Sequence, residues 1–259
     1  MLKKKNNYLE LVISLAKTDF KLRYHESFLG YIWVILKPLL MFTVLNFVFS
    51  SIFNFKNSSN PSYPLELLTA LLIFQFFSEG VMNGATSLIA RAQLVTKIYI
   101  PRWIIVLGST TNSLFVFCMN LLVLALFFVI YNKIPSLEGI VVFFVYSFLL
   151  YLLIIAFSFF SAAIYVRFRD VSTVLEILLS ILMYISPVVY PLSMMPENTR
   201  KIILMNPIAF IINFSKEALI SNRFADLGSF IYLVVCIIFI LIISLLVFKK
   251  LEKNVAEFI

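Results

Sequence analysis

Aromatic side chains spaced to share a helix face are the feature of this 259-residue sequence with the clearest chemical use. Along residues 31–53, one face of a helix would carry four aromatic rings and an amide, from Tyr31, Phe42, Asn46, Phe49 and Phe53. An aromatic face can stack on a sugar ring through its C–H groups without gripping a particular substituent. The stripe therefore predicts either a path lined for sugars or ordinary packing between helices.

A second aromatic segment, residues 180–191, has a similar pattern and two prolines. Tyr184 lies one turn after Ser180, Pro187 follows three residues later, and Tyr190 lies near the end of the segment. Proline bends a helix or ends it. We predict that Tyr184 and Tyr190 line the same path as the first stripe, with helix packing again as the alternative.

Two ionisable residues stand out within apolar sequence. Glu79 has Gln75 and Asn83 one turn away on either side, and a carboxylate in hydrocarbon is costly unless it is paired or protonated. We expect it to form a hydrogen bond with Asn, Ser or Thr of a neighbouring helix. The alternative is that Glu79 takes part in a proton relay. Lys37 either extends to the headgroups or meets a phosphate at an inner mouth, where Arg23 and Trp33 are further candidates.

Several chemistries are excluded by composition. The single histidine, His25, has no cluster of ligands or carboxylates around it, so neither a metal site nor a histidine triad is predicted. Cys118 and Cys236 lie in apolar segments without metal-ligand spacing. The sequence contains no Gly-rich phosphate loop for ATP. The net charge of +8 fits attraction to anionic lipid headgroups, and we predict no nucleic-acid partner.

These residues are positioned by apolar runs that are long enough to cross a bilayer. With 62% hydrophobic residues, the chain has more apolar surface than a soluble fold of this length could bury. Continuous apolar runs predict helices rather than a barrel. The fold class is therefore all-α integral membrane, as one transmembrane domain with six spans. The predicted spans are Tyr31–Phe55, Leu65–Ile89, Trp103–Ile130, Ile140–Val166, Val174–Tyr190 and Ser229–Phe248.

Basic residues alternate between the two sides of these spans. Fourteen Lys and Arg fall on one set of alternate connections and six on the other. Because basic loops stay cytoplasmic, both termini are predicted to be cytoplasmic, including the tail 249–259.

Three connections have a structure of their own. Residues 1–30 include an amphipathic helix from Tyr8 to about Glu26, which either anchors passively at the headgroups or docks a cytoplasmic subunit. The amphipathic stretch 90–102 is either an ordinary linker between two spans or a short rigid helix that transmits movement. In 191–228, two apolar runs too short to cross are separated by Asn206 and Pro207, which predicts a pair of re-entrant helices capping a pathway, with a surface loop as the alternative.

Five short motifs in this order resemble a known family over essentially the whole chain. They are DFKLRY at 19–24 followed by Gly30, Trp33 and Pro38; LVTKIYIPR at 94–102; FRD at 168–170; SPVVY at 186–190; and NP at 206–207. The chain resembles the permease subunits of type-2 ABC exporters that move polysaccharides. The resemblance implies a homodimer that forms a channel above two copies of a separate cytoplasmic ATPase, which binds the ATP and Mg.

The resemblance also assigns roles to individual residues. Contacts with the ATPase are implied for Asp19, Arg23, Leu94, Lys97, Tyr99 and Arg102. The first and fifth spans would line the channel, and the re-entrant pair, with Pro187, Asn206 and Pro207, would gate its outer end. In this family the subunit is not itself an enzyme and lies in the cytoplasmic (inner) membrane of a prokaryote, in contact with membrane lipids.

The expected cargo is a lipid-linked polysaccharide, such as an O-antigen-like glycan on undecaprenyl pyrophosphate. Capsule and teichoic acid exporters are close relatives of that branch, and a small-molecule or drug exporter is an alternative within the family. A membrane enzyme acting on lipid-linked sugars is the alternative from another class, although the sequence lacks the paired carboxylates or histidines that such chemistry uses.

Overall fold

The computed structural model describes residues 8–25, 30–49, 62–97 and 100–252, and within these ranges the chain is helical and contains no strand. The helices, in chain order, are α1 Tyr8–His25, α2 Ile32–Phe47, α3 Tyr63–Ala90, α4 Ala92–Lys97, α5 Arg102–Ile130, α6 Leu137–Tyr165, α7 Val171–Ile185, α8 Glu197–Leu204, α9 Pro207–Ser221 and α10 Leu227–Leu251. The fold is therefore all-α, as the sequence predicts.

Among the described residues, four helices are long and apolar enough to cross a membrane: α3, α5, α6 and α10. The predicted second, third, fourth and sixth spans match them closely. Helices α2 and α7 are apolar but shorter, with 16 and 15 residues. α7 ends at Ile185 rather than at Tyr190, because Pro187 lacks the amide that would continue the helical hydrogen bonds.

Helices α8 and α9 form a bent pair. Their axes differ by 109° at a break between Leu204 and Pro207. Asn206 caps α9 by accepting a hydrogen bond from the Ile208 amide, and Pro207 occupies the first turn, where no amide is needed. The sequence prediction that Asn206 and Pro207 separate two short helices is confirmed, because both residues favour a helix start at this point.

Local signals also set the ends of the long helices. Ser136 caps α6 by accepting from the Gly139 amide, and Asn132 turns the chain before it with a φ of 49°. Asp226 caps α10 by accepting from Ser229. Hydrogen bonds from the Ser229 hydroxyl and backbone amide hold the pKa of the Asp226 carboxyl below its usual value.

Helix α3 is the centre of the bundle. It packs mainly against α5 and α6, while α6 also packs against α9 and α10, and α1 lies against α5. Phe76 of α3 stacks on Phe117 of α5, with ring centroids 4.4 Å apart. Most of α3 is buried, including Leu65, Leu68 and Leu72, whereas α10 and α7 expose about half of their apolar side chains. The outer helices therefore hold the surfaces that lipid, a partner or a path must cover.

Two glycines one turn apart allow α3 to lie directly against α6. A Cβ on Gly80 would lie 2.6 Å from Ile154, and one on Gly84 would overlap the Ser158 side chain. The Ser158 hydroxyl also donates to the Gly80 carbonyl at 3.4 Å. Small residues four apart are a common contact between membrane helices, because they let the backbones approach each other.

We predict that Gly84→Ala destabilises the chain by about 1–3 kcal/mol, because the new methyl group overlaps Ser158 in a packed core. The measurement is the Tm of the detergent-solubilised protein. Gly228→Ala is the matched control, since its Cβ meets only an exposed Asp226 oxygen at 3.2 Å. Adding Ser158→Gly to the Gly84 variant should restore most of the lost Tm, and an unchanged Tm for G84A would contradict this close contact.

Candidate functional site

A cavity of about 840 Å³ lies where α2, α3 and α7 meet. Its floor and walls are mostly apolar, with side chains such as Leu71, Phe74 and Met183. One end carries basic and aromatic groups from the N-terminal part of the chain. This group consists of Arg23, Trp33 and Lys37, the three residues that the sequence analysis put forward for contact with phosphate.

An ion pair lies at the polar end of this cavity. The Lys37 ammonium donates to the Glu79 carboxylate at 2.8 Å, and the Gln75 amide donates to the same oxygen at 3.1 Å. Glu79 is 15% exposed and Lys37 is 65% exposed. The prediction of an Asn, Ser or Thr partner for Glu79 is therefore wrong, because its neighbours are a cation and Gln75 of its own helix. The pairing joins α2 to α3 and leaves the Lys37 ammonium open to the cavity.

The first aromatic stripe divides between two environments. Phe42 is only 6% exposed and packs edge-on against Phe127 of α5, with ring centroids 5.2 Å apart. Tyr31 is 45% exposed and stacks on Phe20 of α1. Asn46 and Phe49 are half-buried. Phe53, predicted on the same face, lies outside the described residues.

The second aromatic pair lies at the end of α7. Tyr184 is 73% exposed, more than any other tyrosine whose side chain the structure describes. The Tyr190 hydroxyl donates to the Ile185 carbonyl at 2.7 Å and so satisfies one of the free carbonyls at the end of α7. Tyr184 is therefore available for contact, while Tyr190 stabilises the helix end.

A buried lysine holds the turn after α7. Lys216 of α9 is 4% exposed, and its ammonium donates to the Pro187 carbonyl at 2.7 Å. The Tyr63 hydroxyl of α3 donates to the Val189 carbonyl at 2.8 Å. These two bonds fasten the buried turn 186–189 to α9 and α3. The predicted gate residue Pro187 is thereby connected to the helix that Asn206 and Pro207 begin.

An ion pair joins α1 to the end of α3, in the region that the sequence predicts to contact the ATPase. Arg91 bonds the Asp19 carboxylate, and it also donates to the Leu15 carbonyl at 3.4 Å. The side chains are 12% and 25% exposed, respectively. A polar cavity of about 220 Å³ lies beside them and is lined by Arg23 of α1 and Asn112 of α5, among others.

The remaining predicted coupling residues follow Arg91. Leu94 is half-buried on α4, and Arg102 begins α5 and is also half-buried. The Lys97 side chain and Tyr99 lie outside the described part of the structure. Asp19 and Arg91 thus connect the amphipathic helix directly to the corner that leads into α4.

Sequence reasoning missed two residues. In the sequence, Lys216 is one of the basic residues of the connection 191–228 and has no further signal, yet it is buried and bonded to the 186–189 turn. Glu176 lies inside the predicted fifth span and was passed over, although its position within an apolar run was a sufficient signal. It is exposed on α7 and, among the described residues, has no cation within ion-pairing distance.

Comparison with known proteins covers nearly the whole chain. The profile of the family described as ABC-2 type transporter matches residues 10–220. The O-antigen export system permease protein RfbA of Klebsiella pneumoniae is 28% identical over 248 residues, which is 96% of this chain and 94% of that protein. The protein of the same name from Myxococcus xanthus is 27% identical, with 96% of this chain and 95% of that protein covered.

A polysialic acid transport protein is also similar. The Polysialic acid transport protein KpsM of Escherichia coli is 26% identical over 275 residues, which covers 93% of each chain. Its likeness is lower than that of the two O-antigen export permeases but extends over almost the same length.

We predict that Lys216→Met destabilises the protein by about 1–3 kcal/mol, because it leaves the Pro187 carbonyl buried without its donor while keeping most of the side-chain volume. Lys201→Met is the matched control. Lys201 is 73% exposed and pairs only with Glu197 one turn away, so its loss should change the stability by less than about 0.5 kcal/mol. The Tm in detergent measures both. Equal losses in the two variants would contradict the assigned role of Lys216.

We predict that Asp19 and Arg91 are energetically coupled. Asp19→Asn and Arg91→Gln should each lower the free energy of unfolding by about 1–3 kcal/mol, since each leaves a largely buried charge unpaired. The double variant should lose less than the sum of the two single losses, as measured by a thermal unfolding cycle. Lys17→Gln, an exposed charge on the same helix, is the control. Additive losses would show that the pair does not join α1 to α3.

Proposed function

This chain belongs to the ABC-2 type transporter family, and from that premise we propose that it is the membrane permease subunit of an ATP-driven exporter of lipid-linked polysaccharide. The observation that carries the proposal is similarity to O-antigen export permeases over 96% of this chain, with no large part left unmatched. The protein would act in the cytoplasmic membrane of a prokaryote as a multi-pass transporter subunit. As a permease subunit of a transporter family, it is not an enzyme.

The proposed topology has six crossings with both termini in the cytoplasm. Helices α3, α5, α6 and α10 would provide four of them, and α2 and α7 would begin the other two. α7 has 15 residues, so it is roughly 22 Å long, which is shorter than the hydrocarbon core of about 30 Å. The remaining depth would be covered by the turn 186–189. In this turn the Pro187 carbonyl accepts a hydrogen bond from Lys216, and the Val189 carbonyl accepts one from Tyr63.

The bent pair α8 and α9 would re-enter the outer leaflet without crossing it. The 109° bend supports this, because a single crossing helix would be close to straight. Pro187, Asn206 and Pro207 would then lie at the outer end of the path. Since Lys216 joins α9 to the Pro187 carbonyl, movement of the bent pair would be transmitted to the end of α7.

ATP and Mg would be bound by a separate ATPase subunit, two copies of which would lie beneath two copies of this chain. The segment 1–30 and the corner 90–102 would contact that ATPase, through Asp19, Arg23, Leu94, Lys97, Tyr99 and Arg102. The Asp19 and Arg91 ion pair supports this arrangement, because it joins α1 to the corner after α3 and would let the two move together. Closure of the ATPase dimer would therefore shift both elements together.

The glycan would pass between the α2 and α7 faces of the two copies. Tyr184 would offer an open ring to the sugars, and Tyr31, Asn46, Phe49, Phe53 and Tyr190 would complete the lining. The polar end of the 840 Å³ cavity, at Arg23, Trp33 and Lys37, would receive the pyrophosphate of the lipid carrier. There the Lys37 side chain is 65% exposed even while it pairs with Glu79, which would leave it open to a phosphate.

Capsule or teichoic acid export is the second candidate, and similarity to the Polysialic acid transport protein KpsM is the observation in its favour. The aromatic lining would serve equally there, because ring stacking does not depend on a particular sugar. Export of small molecules has no comparable support among the relatives.

We predict that Tyr184→Ala lowers glycan export by about threefold to tenfold, the effect of losing roughly 0.5–1.5 kcal/mol of ring stacking. The assay is surface glycan in a strain that lacks its own permease and carries this chain with its ATPase. Tyr184→Phe keeps the ring and should export normally.

Phe239→Ala is the matched control, because Phe239 is 62% exposed on α10, away from the proposed path. Export by the unaltered chain should also require an intact ATPase. Normal export by the Tyr184→Ala variant would exclude stacking at this position, while export without the ATPase would contradict the proposed function itself.

A further inference from the structure

Helix α7 has three distinct faces. Leu175, Leu179 and Leu182 pack against the core of the chain. An apolar face, defined by Val174, Leu178, Ile181 and Ile185, is about half exposed along its length. The third face carries polar groups at helical spacing, and we name it the α7 polar stripe: Thr173, Glu176, Ser180 and Tyr184, all of which are exposed.

The α7 polar stripe includes an ionisable group at a depth where lipid would be a poor neighbour. Glu176 lies five residues after the start of α7, which corresponds to roughly 8 Å along the helix. Ser180 donates to the Glu176 carbonyl, and so its hydroxyl is turned back to the helix and away from the carboxylate. None of the described ion pairs includes Glu176. Charged side chains at such depth nearly always face a bundle interior or a water-filled cavity.

The neighbouring surface is consistent with water on this side of α7. Met183 precedes Tyr184 and lines the 840 Å³ cavity that also contains Lys37 and Glu79. Glu176 lies seven residues before Met183 and is therefore on nearly the same side of α7 as that cavity, while the apolar face points to a different side of the helix. If the export path runs along this stripe, the Glu176 carboxylate gives its wall a negative charge.

We propose that Glu176 lines the export path and makes it selective for glycans whose repeats carry no negative charge. This rests on the proposed export function. A fixed carboxylate repels an acidic sugar each time a repeat passes, whereas the pyrophosphate at the end of the carrier meets the repulsion only once. Charged side chains lining a pore set selectivity by the same means in channels. Neutral or amino-sugar glycans are therefore the substrate class that this residue favours.

Selectivity is tested by exporting two lipid-linked glycans through the complex of this chain with its ATPase: a neutral mannan and a polymer of an acidic sugar. Glu176→Gln should raise the ratio of acidic to neutral export by roughly fivefold to tenfold, while neutral export changes by less than about twofold. Glu138→Gln, which removes an exposed carboxylate from the start of α6, should leave the ratio unchanged.

An unchanged ratio in the Glu176→Gln variant, with neutral export intact in the unaltered complex, would overturn the proposed selectivity alone. Export of neither glycan by the unaltered complex would overturn the proposed function and this inference with it. An equal rise in the Glu138→Gln variant would also overturn the selectivity, because the effect would then belong to net charge.

Water on the stripe is tested separately, in case the glutamine variant assembles poorly. In a Cys118→Ser, Cys236→Ser background, Glu176→Cys in the assembled complex should react with a cationic methanethiosulfonate reagent. Leu178→Cys, at the same depth on the apolar face, should react at least about tenfold more slowly, because only a hydrated thiol ionises. Equal rates, or no reaction at position 176, would place the stripe in lipid or in a dry contact and overturn the inference.

Discussion

Polar groups in hydrocarbon have no water to bind, so each of them must find a partner within the protein or face an aqueous path. This constraint governs the structure. Two contacts in this chain satisfy it by joining different elements: Lys37 of α2 pairs with Glu79 of α3, and Lys216 of α9 donates to the Pro187 carbonyl after α7. A third contact, between Asp19 of α1 and Arg91, joins α1 to the end of α3 on the proposed cytoplasmic side. Each contact includes a shorter helix or a turn, so these polar groups help to position the parts of the chain outside the long helices.

The apolar packing follows a simpler rule. α3 is buried between α5 and α6, and Gly80 and Gly84 let its backbone approach α6 closely. The elements proposed to move, which are α1, the end of α7 and the bent pair, lie around this centre. The Lys37 and Glu79 pair lies at the proposed inner end of the path, and the hydrogen bond from Lys216 to Pro187 lies at its proposed outer end. A permease of this design would change shape through its outer elements while the contact between α3 and α6 persists.

The long helices could be predicted from the sequence because a run of about 20 apolar residues has few structural alternatives in a membrane protein. The break at Asn206 and Pro207 was equally predictable, since both residues favour the start of a helix. Side-chain pairing was not predictable in the same way. Lys37 and Glu79 are 42 positions apart, so their contact depends on how α2 lies against α3. Phe42 shares a stripe with Tyr31 in the sequence, yet it packs against Phe127 because that face of α2 is turned to α5.

We propose that the α2 and α7 faces of two copies enclose the route of the glycan. It is tested most directly by an electron cryo-microscopy structure of the assembled complex with its ATPase and a bound lipid-linked glycan. The account predicts sugar density between the two α7 helices, next to Tyr184, with the carrier phosphates near Lys37. Density that ran along α10, or one copy enclosing the glycan without a second, would contradict it.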